Sequence, residues 1–477
     1  MSEKATARIL SGPLPFEVAR FGTPLALGMG LQTAFNLVDA YLIGRLEPEV
    51  AGPALGAIGI CDQLAALGTI VSYGLSVATA AILSRKLGEG DQEGVRRVAW
   101  QSVLLVLAIS ACFGAFGLFG AHFLLVDVVG AKGKVAELGT NYLRVIIGGS
   151  FTIFMLLHLT TIQRALGSSK TPVTLLVSAN VLNLFLAVLM VYGPGDAPPV
   201  FSWGPPIARA LGIPRMELMG GAWATLIARF VALAPLVVIV MRRFQLFHRS
   251  TRSKPDPVII GQLFRIAWPS SAQLVVRISA MLAVHSLVAR AYTTATDQSA
   301  TTALGIVFRL ETMALFVGLG WGSAAQTFVG QNLGAGSPER AKSSGWYAAG
   351  FNAVMMALLA LAYRSWGAHI IEFFDDHPLV VSIGMSYIEQ VGWSYVGLGI
   401  GIVLGAAIQG AGASKQSLRL DALVVLGFQL PASWLVVFAL DRGYERLWQV
   451  IAITYVTFAV VYALSYRRGH FLKHSIA

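Results

Sequence analysis

SRKLGEGDQEGVRRVAW (residues 84–100) and GQNLGAGSPERAKSSGW (330–346) are two versions of one pattern. Leu87, Gly88, Gly90, Glu93 and Trp100 meet Leu333, Gly334, Gly336, Glu339 and Trp346 at a constant offset of 246. The correspondence extends outward from there. Upstream, RFGTP (20–24) meets RIAWP (265–269); downstream, Gln163 meets Gln409 and SSK (168–170) meets ASK (413–415), with the offset drifting by one. One match between glycine-rich loops is unremarkable. Several in order, at nearly one spacing, mark an internal repeat.

The repeated units are apolar. The 477 residues are 56% hydrophobic and 12% charged, with a mean hydropathy of +0.68; soluble domains carry about 25% charged residues. A spanning helix needs about 20 mostly apolar residues. Twelve segments qualify: 18–44, 54–83, 97–121, 138–160, 171–193, 218–241, 262–290, 300–328, 343–364, 384–408, 418–440 and 447–466. They are continuous and rich in Ala, Leu and Gly, unlike the short alternating strands of a barrel. Six fall in each copy, so both copies enter the membrane in the same sense, related by an axis near its normal. Parallel repeats of this kind build transporters, with the site between or within the halves. The expected fold is an all-α polytopic membrane protein, twelve transmembrane helices in two six-helix lobes related by pseudo-two-fold symmetry. The lobes are expected at 1–241 and 258–477. A basic, proline-containing cytoplasmic linker, 242–257, joins them.

The net charge of +11 is mostly a topology signal. With both termini in the cytoplasm, twenty-one basic residues fall on the cytoplasmic side and nine opposite, as the positive-inside rule requires. The expected location is the plasma (inner) membrane, multi-pass. No basic soluble domain exists to bind nucleic acid. Cys61 and Cys112 lie in apolar segments and read as small buried hydrophobes. The N-terminus is polar up to Arg8, and the first apolar segment is too long for a cleavable signal. No phosphate loop, HExxH, CxxC or GxSxG is present, which speaks against ATP drive and against an enzyme. GEG and GAG after the second and eighth segments lack a preceding strand and read as helix-ending turns. The chain is expected to act without a cofactor, as a monomer in the lipid bilayer, on a small-molecule substrate.

Asp39 is the residue such a chain should not hold without a use. An ionised side chain at mid-membrane costs roughly 2.5–3.5 kcal/mol on insertion scales. Gln32, Asn36 and Asp39 follow at i, i+4 and i+7, forming one polar stripe. That stripe should face a wet cavity or another helix. The plain alternative is a neutral Asp39 acting as helix glue. His158 sits among apolar residues and reads as a packing histidine.

The sequence resembles the multidrug and toxic compound extrusion (MATE) family over nearly its whole length. The likeness rests on NLVDAYLIG (36–44), RALGSSKTP (164–172), GGAWAT (220–225), RLE (309–311) and FVGQNLGAG (328–336), in family order. It implies two lobes in a V around a central cavity, and export driven by an inward gradient of protons or sodium. It also implies that Asp39 binds the coupling ion in the N-terminal lobe. LNLFLAVLMVYG (182–193) resembles the fifth-helix motif and brings Asn183 onto the family asparagine; Thr225 falls on the family threonine. Asp39, Asn183 and Thr225 would be the sodium ligands if sodium is the ion; a proton on Asp39 is the other reading, and is preferred.

The chain departs from the family at two places. Ala187 stands where proton-coupled and archaeal members carry a second aspartate. Arg277 stands where a sodium-coupled branch has a glutamate, and no acid lies near Leu398. Asp39 alone is therefore expected to suffice. Arg277 either joins Arg309, Glu311 and Asp421 in an ion network or faces the cavity and favours anionic substrates. Gln32, Arg277 and His285, which lies near the repeat-equivalent of Asp39, are the expected cavity residues. The expected function is secondary antiport of small organic molecules by alternating access. The runner-up is a flippase of a lipid-linked or anionic lipid, which Arg277 favours and the helix count opposes.

Overall fold

The structure, a computed structural model, describes residues 3–243, 254–294, 296–440 and 443–474, so most of the expected linker lies outside it. At a few helical positions, Asn36 among them, only the backbone is described. The described residues are helical throughout and contain no strand. The first half comprises α1 (Glu3–Ser11), α2 (Leu14–Gly44), α3 (Pro48–Gly88), α4 (Gln92–His122), α5 (Gly133–Gly148), α6 (Ser150–Ala165), α7 (Lys170–Tyr192), α8 (Gly204–Leu211) and α9 (Glu217–Arg243). The second comprises α10 (Pro257–Ala291), α11 (Ser299–Gly334), α12 (Pro338–Phe374), α13 (Pro378–Val391), α14 (Tyr395–Gly410), α15 (Ser414–Val424), α16 (Leu430–Trp434) and α17 (Tyr444–Arg468).

All twelve expected segments lie on these helices. Ten continuous helical runs are long and apolar enough to span a membrane, and α5 with α6 form an eleventh, bent by 40°. The remaining segment, 18–44, lies on the 31-residue α2. The bend falls at Gly149, so the expected span 138–160 is broken rather than straight. The run from α15 through α16 is also irregular, with π-helical turns at Val425–Gln429 and Leu435–Ala439. Helix starts follow local chemistry. Pro48, Pro257 and Pro338 open three helices, where a missing N–H costs nothing. Asp91 caps α4 by accepting from the Gly94 N–H at 2.8 Å. Many large apolar side chains point outward, among them Phe119, Phe373, Val258 and Trp366. Exposure on this scale is stable against lipid rather than water. Cys112 belongs to this outer surface, contrary to its expected burial, while Cys61 is buried.

Small residues let the two halves meet. A Cβ on Gly320 would lie 2.4 Å from the Ala26 Cα, so α2 and α11 touch backbone to backbone. The repeated loops do the same reciprocally. A Cβ on Gly88 would fall 2.0 Å from the Gln331 carbonyl oxygen, and one on Gly334 would fall 2.0 Å from that of Arg85. Just beyond, Gly90 and Gly336 adopt φ of +75° and +72°, the helix-ending turns expected from sequence. Side chains reinforce the crossing: Gln326 donates to the Val77 carbonyl at 3.0 Å and Gln331 to that of Ala165 at 2.8 Å. Each chain end is tied across as well. Arg85 donates to the His474 carbonyl at 2.8 Å, and Arg340 to the carbonyls of Ile9 and Gly12.

Candidate functional site

Packing of α7 against both α2 and α9 assembles the polar site of the first half. Asp39 lies near the end of α2. The Asn183 amide on α7 donates to both of its carboxylate oxygens, at 3.1 and 3.0 Å. Asn183 is buried, and its own oxygen has no hydrogen-bond partner among the described residues. An acceptor is thus left free beside an acid, an arrangement that fits an added proton donor or a small cation.

Three further groups share this site, none of them singled out from the sequence. Asp62 on α3 and Arg229 on α9 both act on Asp39 through charge. Tyr142 on α5 lies within electrostatic range of all three. Asp62 is exposed and Arg229 half-buried, and Arg229 forms no direct salt bridge among the described residues. Asp39 therefore has a second carboxylate within electrostatic range. The signal was present: Asp62 and Arg229 each interrupt a segment otherwise apolar enough to span. Thr225 sits one turn before Arg229, half-buried, with no hydrogen bond to Asp39 among the described residues. Gln32 is likewise half-buried on α2, and the side chain of Asn36 lies outside those described.

The second half holds a different arrangement. Arg277 on α10 grips Asp421 on α15 with two bonds, Nε to Oδ2 at 2.5 Å and Nη2 to Oδ1 at 3.2 Å. The Asp421 side chain is 0% exposed and that of Arg277 20%. Tyr462 donates to the same carboxylate at 2.5 Å, and Gln273 donates to Tyr462 at 3.2 Å. Arg277 keeps an open flank, but its charge is matched. The expected network forms only in part, because Glu311 accepts from Tyr387 and Tyr455 instead and Arg309 is exposed. His285 packs edge-on against Phe308, centroids 4.6 Å apart. His285 lies near the repeat-equivalent of Asp39, so no acid stands at the matching place in the second half. His158 is a packing histidine as expected, fully buried with Nε2 2.9 Å from the Ser102 hydroxyl.

The sequence profile described as MatE matches residues 24–189 and 273–435, one stretch in each half. The chain belongs to the MatE family. The MatE relatives include "Probable multidrug resistance protein YpnP" of Bacillus subtilis (strain 168), 26% identical over 95% of each chain. A "FAD transporter" of Shewanella oneidensis is 24% identical over 89% of this chain and 88% of its own. A crystal structure of "MATE in complex with MaD3S" superposes with a TM-score of 0.86 at 22% identity, covering 100% of both chains. The MatE fold explains the two halves and their repeat, and makes the chain a multi-pass membrane transporter rather than an enzyme. It is a multidrug-efflux type of transporter, and needs no cofactor.

Proposed function

We propose that the chain exports small organic molecules by antiport with a monovalent cation, and that Asp39 is the coupling carboxylate. The observation that carries this is the make-up of the Asp39 site. Two carboxylates, Asp39 and Asp62, lie within electrostatic range of one guanidinium, Arg229, so the ionised group has one net negative charge. In surroundings of low dielectric such an imbalance is costly, and one proton or one sodium ion cancels it. Asn183 supplies the neutral contact and the free acceptor. Thr225, one turn before Arg229 on α9, is the further oxygen ligand if sodium is the ion; Asn36 belongs with the coupling-ion residues, and Gln32 and His285 with the substrate cavity. The preferred ion is the proton.

The basic loops support a cytoplasmic location for both termini and for the crossing of Gly88 and Gly334. The structure is then a state closed towards the inside, with two lobes at 1–241 and 258–477. Ion loading from outside shifts the equilibrium between open states by its differential affinity for them. None of the relatives reported above is named as a lipid flippase, and Arg277, matched by Asp421, no longer favours one. The test is substrate-triggered ion flux in proteoliposomes, using a fluorescent cationic dye and imposing proton and sodium gradients separately. Dye efflux driven by one gradient and lost in Asp39→Asn supports the reading. Equal efflux in the variant refutes it.

A further inference from the structure

Glu311 is a buried acid that the proposed coupling site does not use. It lies on α11, and its two oxygens accept from the hydroxyls of Tyr387 at 2.5 Å and of Tyr455. Tyr363 and Tyr395 complete a ring of four tyrosines within electrostatic range. Tyr387, Tyr395 and Tyr455 belong to α13, α14 and α17, and Tyr363 to α12, so the ring draws on four helices of the second half. No basic residue acts on Glu311 among the described residues. Arg309, on the same helix, is exposed. His285 of α10 is separated from it by Phe308, which packs on both His285 and Tyr387. The charged groups of α2 and α3, Asp39 and Asp62 included, do not act on it either. This is the opposite of Asp421, whose charge is matched by a bidentate arginine.

A second observation comes from Tyr395. Its side chain is 1% exposed, and its hydroxyl has no hydrogen-bond partner among the described residues. Buried polar groups are rarely left so. An ionised carboxylate only accepts, whereas a protonated one also has a hydroxyl to donate. The unused lone pairs of Tyr395 are what that added hydroxyl needs. The ring therefore holds two donors bonded to the charged form and, within electrostatic range of the acid, one unpartnered hydroxyl for the neutral form to turn to.

We infer that Glu311 and its tyrosine ring form a second proton-binding site, in the C-terminal half, separate from Asp39. The step is one proton transfer. A hydronium ion reaching the ring gives its proton to a Glu311 oxygen, an O–H bond forms, the negative charge is lost, and water is released. The reverse step returns the proton to water on the other side. A monovalent metal fits less well, because one carboxylate and phenols already donating to it make a poor oxygen cage.

The experiment is pH-difference infrared spectroscopy of the full chain reconstituted in liposomes, read at the carbonyl band of protonated carboxyl groups. Glu311→Gln is expected to lose one such band, and Asp39→Asn to keep it and lose another. Tyr395→Phe, which leaves the acid and the packing in place, is expected to shift the Glu311 band upward in frequency by removing its acceptor. This variant serves as the readout if Glu311→Gln does not fold. Identical spectra for the wild type and Glu311→Gln, or an unshifted band in Tyr395→Phe, overturn the inference. A band that responds to sodium at fixed pH, and not to pH, also overturns it. The two carboxyl sites are read separately, so failure here leaves the Asp39 reading standing.

Discussion

Removing Arg277 should cost far more than removing an ordinary surface charge. The Asp421 carboxylate is wholly buried, and its only direct partners among the described residues are Arg277 and Tyr462. Arg277→Ala leaves that charge with one neutral donor. Breaking one side of a buried pair costs about 3–5 kcal/mol. Tyr462→Phe removes one bond to a charged group and should cost about 1.5–3 kcal/mol. Replacing both Arg277 and Asp421 by leucine removes the unpaired charge, and should recover most of the loss, since apolar substitutes for a buried pair are often near neutral. Unfolding can be followed in mixed micelles titrated with sodium dodecyl sulfate, using a thiol-reactive dye. Cys61 is buried and reports opening, in a chain whose outer-surface Cys112 is replaced by serine. The reasoning fails if Arg277→Ala unfolds within about 1 kcal/mol of the wild type, the range of a surface pair. It fails equally if the double variant is as unstable as the single. A selective loss of anionic-dye transport in the folded double variant would restore Arg277 to the cavity.

Asp39→Asn keeps size and removes charge, so gradient-driven dye export should cease while equilibrium dye binding, measured by fluorescence polarisation, persists. Asn183→Ala removes an amide that donates to both oxygens of the ionised Asp39; losing that support for the charged form, about 1.5–3 kcal/mol, should lower the proton concentration for half-maximal export roughly ten- to a hundred-fold. Asp91 lies in a loop, where the Gly94 N–H and Lys86 hold its carboxyl below the ordinary value; the stability it contributes is present above that ordinary value and lost as pH falls through the lowered one. Asp91→Ala should cost about 1 kcal/mol of helix-cap stability at neutral pH, and nothing at pH low enough to protonate the acid, as judged by the same micelle titration. A cysteine introduced by Ser250→Cys, in a chain lacking Cys61 and Cys112, should resist an impermeant reagent added to intact cells; labelling there would invert the proposed orientation.

Hydropathy and the repeat carried the helix plan, because lipid demands continuous apolar runs and a gene duplication leaves two copies of each turn. The bend at Gly149 escaped that reading, since a single glycine in an apolar run does not announce a break. Asp39 and Asn183 were legible through a polar stripe and a motif. Asp62 and Arg229 were visible only as lone charges in apolar segments, and it is the packing of α3 and α9 beside α2 that gives them a meaning. The pairing of Arg277 with Asp421 is likewise a matter of helix placement, with 144 residues between the partners. Glu311 was noticed as a charge, but its tyrosines come from four later helices, beyond the reach of any local pattern.

The reciprocal approach of Gly88 to Gln331 and of Gly334 to Arg85 sets a rule for motion. Both contacts are made by main chain, so no side chain can swing aside to let the halves part a little at a time. Because the repeat relates them, loosening one alone would shear the other into overlap. The crossing is therefore a double clasp, both fastenings undone in one movement. Under the antiport proposed above, that is a gate with no half-open setting through which ion or cargo could slip uncoupled.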